Sequence, residues 1–172
     1  CVFDISFLSA IPHLIIMTPK DAAELKRMMN TAFHHFTQPY ILRFPKGCVE
    51  DCEVSLDETI EIGSWEKVIF QSDYPLTVIT YDAKVNNVYE ALLKENLPVN
   101  LINARFIKPL DQTMLKELYE LNQHLLIYET DLKIGSLGSM ISYFYSESHM
   151  PMQIDYMGID DHYTPQGDCN TL

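Results

Sequence analysis

Leu14-Ile15-Ile16-Met17-Thr18-Pro19-Lys20-Asp21 decides the fold. Leu14 to Met17 is a continuous apolar run, the pattern of a strand buried on both faces. The run stops at Thr18, which suits a helix N-cap; Pro19 suits the first helical position, and Asp21 sits where a capping-box acid belongs. Leu25, Met28, Met29, Ala32, Phe33 and Phe36 follow at three- and four-residue steps and predict one apolar helix face. Tyr40-Ile41-Leu42-Arg43 then reads as a second strand. Strand, helix and strand in succession imply a parallel crossover unit.

Outward from this unit, Asp4 to Ala10 predicts the tail of a short helix. Pro45 to Ser64 has two glycines, a proline and many acids with little periodicity, and reads as a linker between domains. A second cycle follows. Val68 to Phe70 and Leu76 to Tyr81 predict strands, and Asp82 caps a helix bearing Val85, Val88, Tyr89, Leu92 and Leu93. Val99 to Asn103 is a strand; Asp111 caps a helix with Met114, Leu115, Leu118 and Tyr119 inward. Leu125 to Tyr128 is a strand, Leu137 to Tyr145 a helix, and Met152 to Tyr156 a last strand. Strands alternating with amphipathic helices give a doubly wound α/β sheet.

The 172 residues suffice for one domain and part of another, and 47% hydrophobic residues suffice for a core. A formal net charge of −12 argues against nucleic acid and anionic membrane as partners, because both require a basic patch. The apolar runs are too short to span a bilayer. The N-terminus lacks the basic and long apolar regions of a signal peptide and starts inside folded-looking sequence, so the expectation is a piece of a longer cytoplasmic protein. Cys1, Cys48, Cys52 and Cys169 lack CxxC spacing and read as reduced thiols.

Few residues carry chemistry. Arg43 ends a buried strand, and a guanidinium there needs an anion or water. Ligands of open α/β sheets sit beyond the carboxyl ends of the strands, so Arg43 is the candidate for a phosphate or carboxylate. A salt bridge between domains is the alternative. Gly135-Ser136-Leu137-Gly138 opens a helix whose amides could hold an anion, although glycine that merely allows the tight turn is the favoured reading. It is not GxGxxG, and no GxxxxGK[ST] is present. His34-His35 suits a helix C-terminus, the other histidines are scattered, and no metal-ligand cluster or GxSxG elbow exists.

Beyond these residues, several blocks resemble the 1-deoxy-D-xylulose-5-phosphate synthase family. They are Val2-Phe3-Asp4-Ile5-Ser6-Phe7-Leu8, Ile11-Pro12, Ile16 to Asp21, Glu24-Leu25, Arg43 to Gly47, Ala104 to Asp111, and Gly158-Ile159 through Pro165-Gln166-Gly167. The similarity runs in order from end to end. The resemblance implies the end of a transketolase pyrimidine-binding domain (1–47), a linker (48–64) and a doubly wound transketolase C-terminal-type domain (65–172) lacking its last helix.

The resemblance further implies a cytoplasmic homodimeric transferase using thiamine diphosphate and Mg²⁺. That enzyme condenses pyruvate with glyceraldehyde 3-phosphate, losing CO₂, for isoprenoid, thiamine and pyridoxal synthesis. Arg43 matches the family arginine that contacts the aldehyde's phosphate, and a guanidinium fork suits phosphate oxygens. Phe3 and Asp4 follow the family's active-site His-x-Gly segment and have at most a supporting role toward the cofactor. Cys1 stands where the family has glycine. The catalytic histidine and the main cofactor and metal residues fall outside the chain, so the isolated piece is expected to be inactive. The rivals are another thiamine enzyme of the transketolase group and a non-catalytic dimerisation or assembly module.

Overall fold

The computed structural model describes residues 2–35, 37–44 and 52–163. Helix α1 (Asp4–Leu8) leads into strand β1 (Ile15–Met17), helix α2 (Ala22–His34) and strand β2 (Tyr40–Leu42), with β1 and β2 parallel as the crossover pattern demands. Helix α2 begins later than expected. Its N-cap is Asp21, whose side chain accepts from Glu24 N, while Glu24 Oε2 accepts from Lys20 N. Thr18 is instead fully buried beyond β1.

The buried face of α2 also differs from the apolar face expected. Glu24, Met28 and Thr31 point inward, while Met29 and Phe33 lie on the surface. The reason is the segment that packs there. Thr31 Oγ1 accepts from Ile60 N at 2.8 Å, Asn30 Nδ2 donates to the carbonyls of Ser55 and Glu58, and Lys26 Nζ donates to the Cys52 carbonyl. The described part of the expected linker, 52–64, therefore lies along α2 and is not a bare tether. Residues 45–51 with Cys48, and also Cys1, Phe36, Gly167, Asp168 and Cys169, fall outside the described residues.

The second sheet contains β3 (Glu66–Ile69), β4 (Leu76–Thr80), β5 (Val99–Asn103), β7 (His124–Leu132) and β8 (Ile154–Ile159) in the order β3-β5-β4-β7-β8. All neighbours are parallel except β3 with β5. Helix α3 (Lys84–Glu95) covers one face through Val85 and Leu92 on Val78 and Leu101. Helices α4 (Gln112–Glu120) and α5 (Leu137–Glu147) contribute to the larger core.

Strand β6 (Phe106–Lys108) was not expected. It pairs antiparallel with β1, so the C-terminal half supplies the third strand of the first sheet. One continuous core runs through Ile16, Met17, Ile79, Ile102, Phe106 and Leu115. Trp65 closes it, its indole Nε1 donating to the Phe106 carbonyl at 2.8 Å.

Candidate functional site

Strands β1 and β2 run parallel, as do β4, β5 and β7, so each set has its carboxyl ends at a common edge. At these edges the two sheets meet. Arg43 follows β2, and its backbone N–H donates to the Met17 carbonyl at 2.8 Å, which fixes its backbone against β1. Its side chain crosses to the other sheet. Nη2 donates to Asp131 Oδ1 at 3.0 Å, Nη1 lies 3.6 Å from Asp82 Oδ2, and Nε lies 3.6 Å from Asp4 Oδ2.

The three aspartates are held in different ways. Asp131 is fully buried, and its other oxygen accepts from the Tyr81 hydroxyl at 2.6 Å. Burial pushes the Asp131 carboxyl up, against the lowering by the Tyr81 hydrogen bond and Arg43; burial and the Asp131 charge keep the Tyr81 phenol protonated. Asp82 sits two residues after β4 at φ 54°, with Oδ1 accepting from Lys84 N at 2.9 Å. Burial raises its carboxyl too. It stands one residue before the N-cap position of α3, which Ala83 occupies, so its second oxygen faces Arg43. Asp4 opens α1.

The Gly135–Gly138 turn is not an open anion cradle. Glu129, on β7, reaches the start of α5 and accepts from Leu137 N at 2.9 Å and Gly138 N at 3.0 Å. A carboxylate of the chain itself takes the place a bound anion would take. Burial pushes Glu129 up to about 7. Gly138 is required here because a Cβ would lie 2.9 Å from Glu129 Oε1 and from the Tyr156 ring. Gly135, at φ 79°, lets the turn approach Ser6 of α1, and the Ser6 hydroxyl donates to the Ile134 carbonyl.

A second polar cluster at the seam was missed in the sequence. Asn103 Nδ2 donates to Glu24 Oε1 at 3.0 Å and to Glu66 Oε2 at 3.0 Å, Lys20 pairs with Glu66, and Arg105 Nη1 lies 3.7 Å from Glu24. Burial raises the Glu24 carboxyl. The available signal was Glu24 in phase with Met28 and Thr31 on one helix face.

Phe3 and Asp4 each have a partner within the chain. Asp4 is paired with Arg43, and Phe3 packs edge-on against Tyr163 at 5.9 Å. Among the described residues no group of three or more His, Cys, Asp or Glu side chains is placed to hold a metal ion. The amides at the start of α5 are already taken by Glu129.

Two family patterns match the chain: the transketolase C-terminal domain over residues 68–170, and the transketolase pyrimidine binding domain over residues 1–50. The chain belongs to the transketolase family. Within that family, it is 38% identical over 99% of its length to 1-deoxy-D-xylulose-5-phosphate synthase of Bacillus licheniformis and 36% identical over 99% to the Geobacillus sp. WCH70 enzyme of that name. The Aquifex aeolicus enzyme of the same name is 29% identical, also over 99%. The chain spans 28% of the first two relatives and 27% of the third. Among solved structures, a split gene transketolase described as an inactive beta4 tetramer superposes with a TM-score of 0.78 at 22% identity, covering 94% of this chain and 53% of that one. A transketolase variant from Pichia stipitis superposes at 0.65 with 12% identity, covering 92% of this chain and 22% of that one. These likenesses support the transketolase fold of both parts. No described helix is long and apolar enough to cross a membrane.

Proposed function

We propose that this chain is the C-terminal part of a 1-deoxy-D-xylulose-5-phosphate synthase. The observation that carries the reading is end-to-end similarity to relatives of that name, 36–38% identical over 99% of the chain for two of them. In this reading the full-length protein is a cytoplasmic homodimer that condenses pyruvate with glyceraldehyde 3-phosphate, serving isoprenoid, thiamine and pyridoxal synthesis. Thiamine diphosphate, with Mg²⁺, would supply the electron sink for the loss of CO₂ when bound, held mainly by residues other than those of this chain.

Within this reading the domains are 1–47, a linker 48–64, and 65–172. Arg43 meets the phosphate of the aldehyde. Its place at the carboxyl edge of β2 and the fork geometry of guanidinium support that role. Holding a remote phosphate orients the aldehyde carbon for attack.

The test is Arg43→Ala in the full-length protein, with Arg43→Lys beside it, assayed with pyruvate and either glyceraldehyde 3-phosphate or unphosphorylated glyceraldehyde. Losing a charge-assisted phosphate contact costs about 2–5 kcal/mol in kcat/KM. The expected loss is confined to the phosphorylated aldehyde. Equal loss for both aldehydes, or none, refutes the Arg43 assignment. Absence of any 1-deoxyxylulose 5-phosphate from the wild-type protein refutes the function.

A further inference from the structure

The Arg43 site carries its own anions. One guanidinium faces the carboxylates of Asp4, Asp82 and Asp131 within 3.0–3.6 Å. An incoming phosphate is attracted by Arg43 and repelled by three carboxylates at only slightly longer range. A phosphate on Arg43 is therefore held more weakly while a carboxylate stays ionised beside it.

The geometry separates the two that belong to the second sheet, Asp131 and Asp82; Asp4, on α1, also stands 3.6 Å from the guanidinium. Asp131 cannot yield, because its side chain is fully buried and both oxygens are bonded, one to Arg43 Nη2 and one to the Tyr81 hydroxyl. Asp82 differs. Its Oδ2 stands 3.6 Å from Nη1, beyond direct hydrogen-bond reach, and its hold on the backbone comes through Oδ1 and Lys84 N. It can leave Arg43 without losing that anchor.

We infer that Asp82 is an internal competitor for the anion site, a carboxylate that balances Arg43 until a phosphate takes its place. This rests on the reading of Arg43 as a phosphate contact and adds a residue that sets how strongly the phosphate is held. Asp82 tunes discrimination between phosphorylated and unphosphorylated acceptors by weakening the former.

The experiment is Asp82→Asn in the full-length protein. Asparagine tolerates the positive φ of this position and can still accept from Lys84 N through its Oδ1, so the substitution removes charge with little change of shape. Two quantities are read: the ratio of KM for glyceraldehyde 3-phosphate to KM for glyceraldehyde, and the Kd of inorganic phosphate by calorimetry. Both are expected to fall roughly five- to tenfold, because a like charge beside the anion is gone. Arg43→Ala is run in parallel and is expected to raise both. If Arg43→Ala raises them while Asp82→Asn leaves them unchanged or raises them, Asp82 is not a competitor and the phosphate reading of Arg43 stands. If Arg43→Ala leaves both unchanged, the phosphate reading falls and the competitor role falls with it.

Discussion

Arg43 Nη2 lies 3.0 Å from Asp131 Oδ1, and this pair ties the segment after β2 in one sheet to β7 in the other. It is a clasp whose aspartate is wholly buried and whose arginine is mostly so. Removing one partner of such a pair leaves an uncompensated charge in a poorly solvated place, which costs far more than the intact pair contributes.

Arg43→Met is therefore expected to destabilise the chain by about 3 kcal/mol at pH 8. The cost should shrink near pH 5. Asp131 and Asp82 are already raised by burial, and they rise further once Arg43 no longer opposes it. A raised carboxyl contributes its stability at low pH and loses it as pH rises through its folded value. Urea denaturation at the two pH values measures the difference, and an equal cost at both contradicts the clasp.

Tyr81→Phe isolates the other half of Asp131. The phenol donates at 2.6 Å to an oxygen with no exposure to water, so the variant strands a buried acceptor at constant charge and nearly constant shape. The expected loss is about 2 kcal/mol in urea midpoint analysis. A loss near zero would mean that water reaches Asp131 Oδ2.

Gly138→Ala tests the turn that the sequence marks with two glycines. The new Cβ meets Glu129 Oε1 and the Tyr156 ring at 2.9 Å each. Tyr156 is partly exposed and can swing away, but Glu129 is buried and bonded to two amides. We expect destabilisation of about 2 kcal/mol, from overpacking and a disturbed helix start. Tyr156→Ala should restore only a minor part of it in thermal unfolding.

The alternation of apolar runs with amphipathic helices was enough to place β1, β2, β4, β5, β7 and the helices between them. Strand β6 was not legible, because three residues, Phe106-Ile107-Lys108, give no period, and pairing with β1 is a tertiary choice. The inward face of α2 was misread for a related reason. Glu24 and Thr31 are buried only because residues on the 52–64 segment and Asn103 offer them hydrogen bonds, and no local pattern announces distant partners. Arg43 stood out by its place at a strand end. Its three aspartates come from positions 4, 82 and 131, and only folding brings them together. Asp82 looked like the cap of α3, but Ala83 holds that position; Asp82 Oδ1 accepts from Lys84 N, and its Oδ2 faces Arg43.

Glu129 makes the last prediction, a pH dependence whose sign is fixed by its environment. Burial lifts it from 4.5 to about 7, so the folded state binds this proton more tightly than the unfolded chain does. Its contribution is fully present below pH 4.5 and is lost as pH rises to about 7. Glu129→Gln removes the ionisation but turns an amide N–H toward one of the two backbone donors, so it lowers stability at pH 4. The gap between wild type and variant should then narrow toward pH 8, where wild type also bears a cost. Chemical denaturation of both proteins from pH 4 to 8 measures this directly. A gap that widens with pH would mean that the α5 amides hold the carboxylate ionised and that burial is the weaker effect.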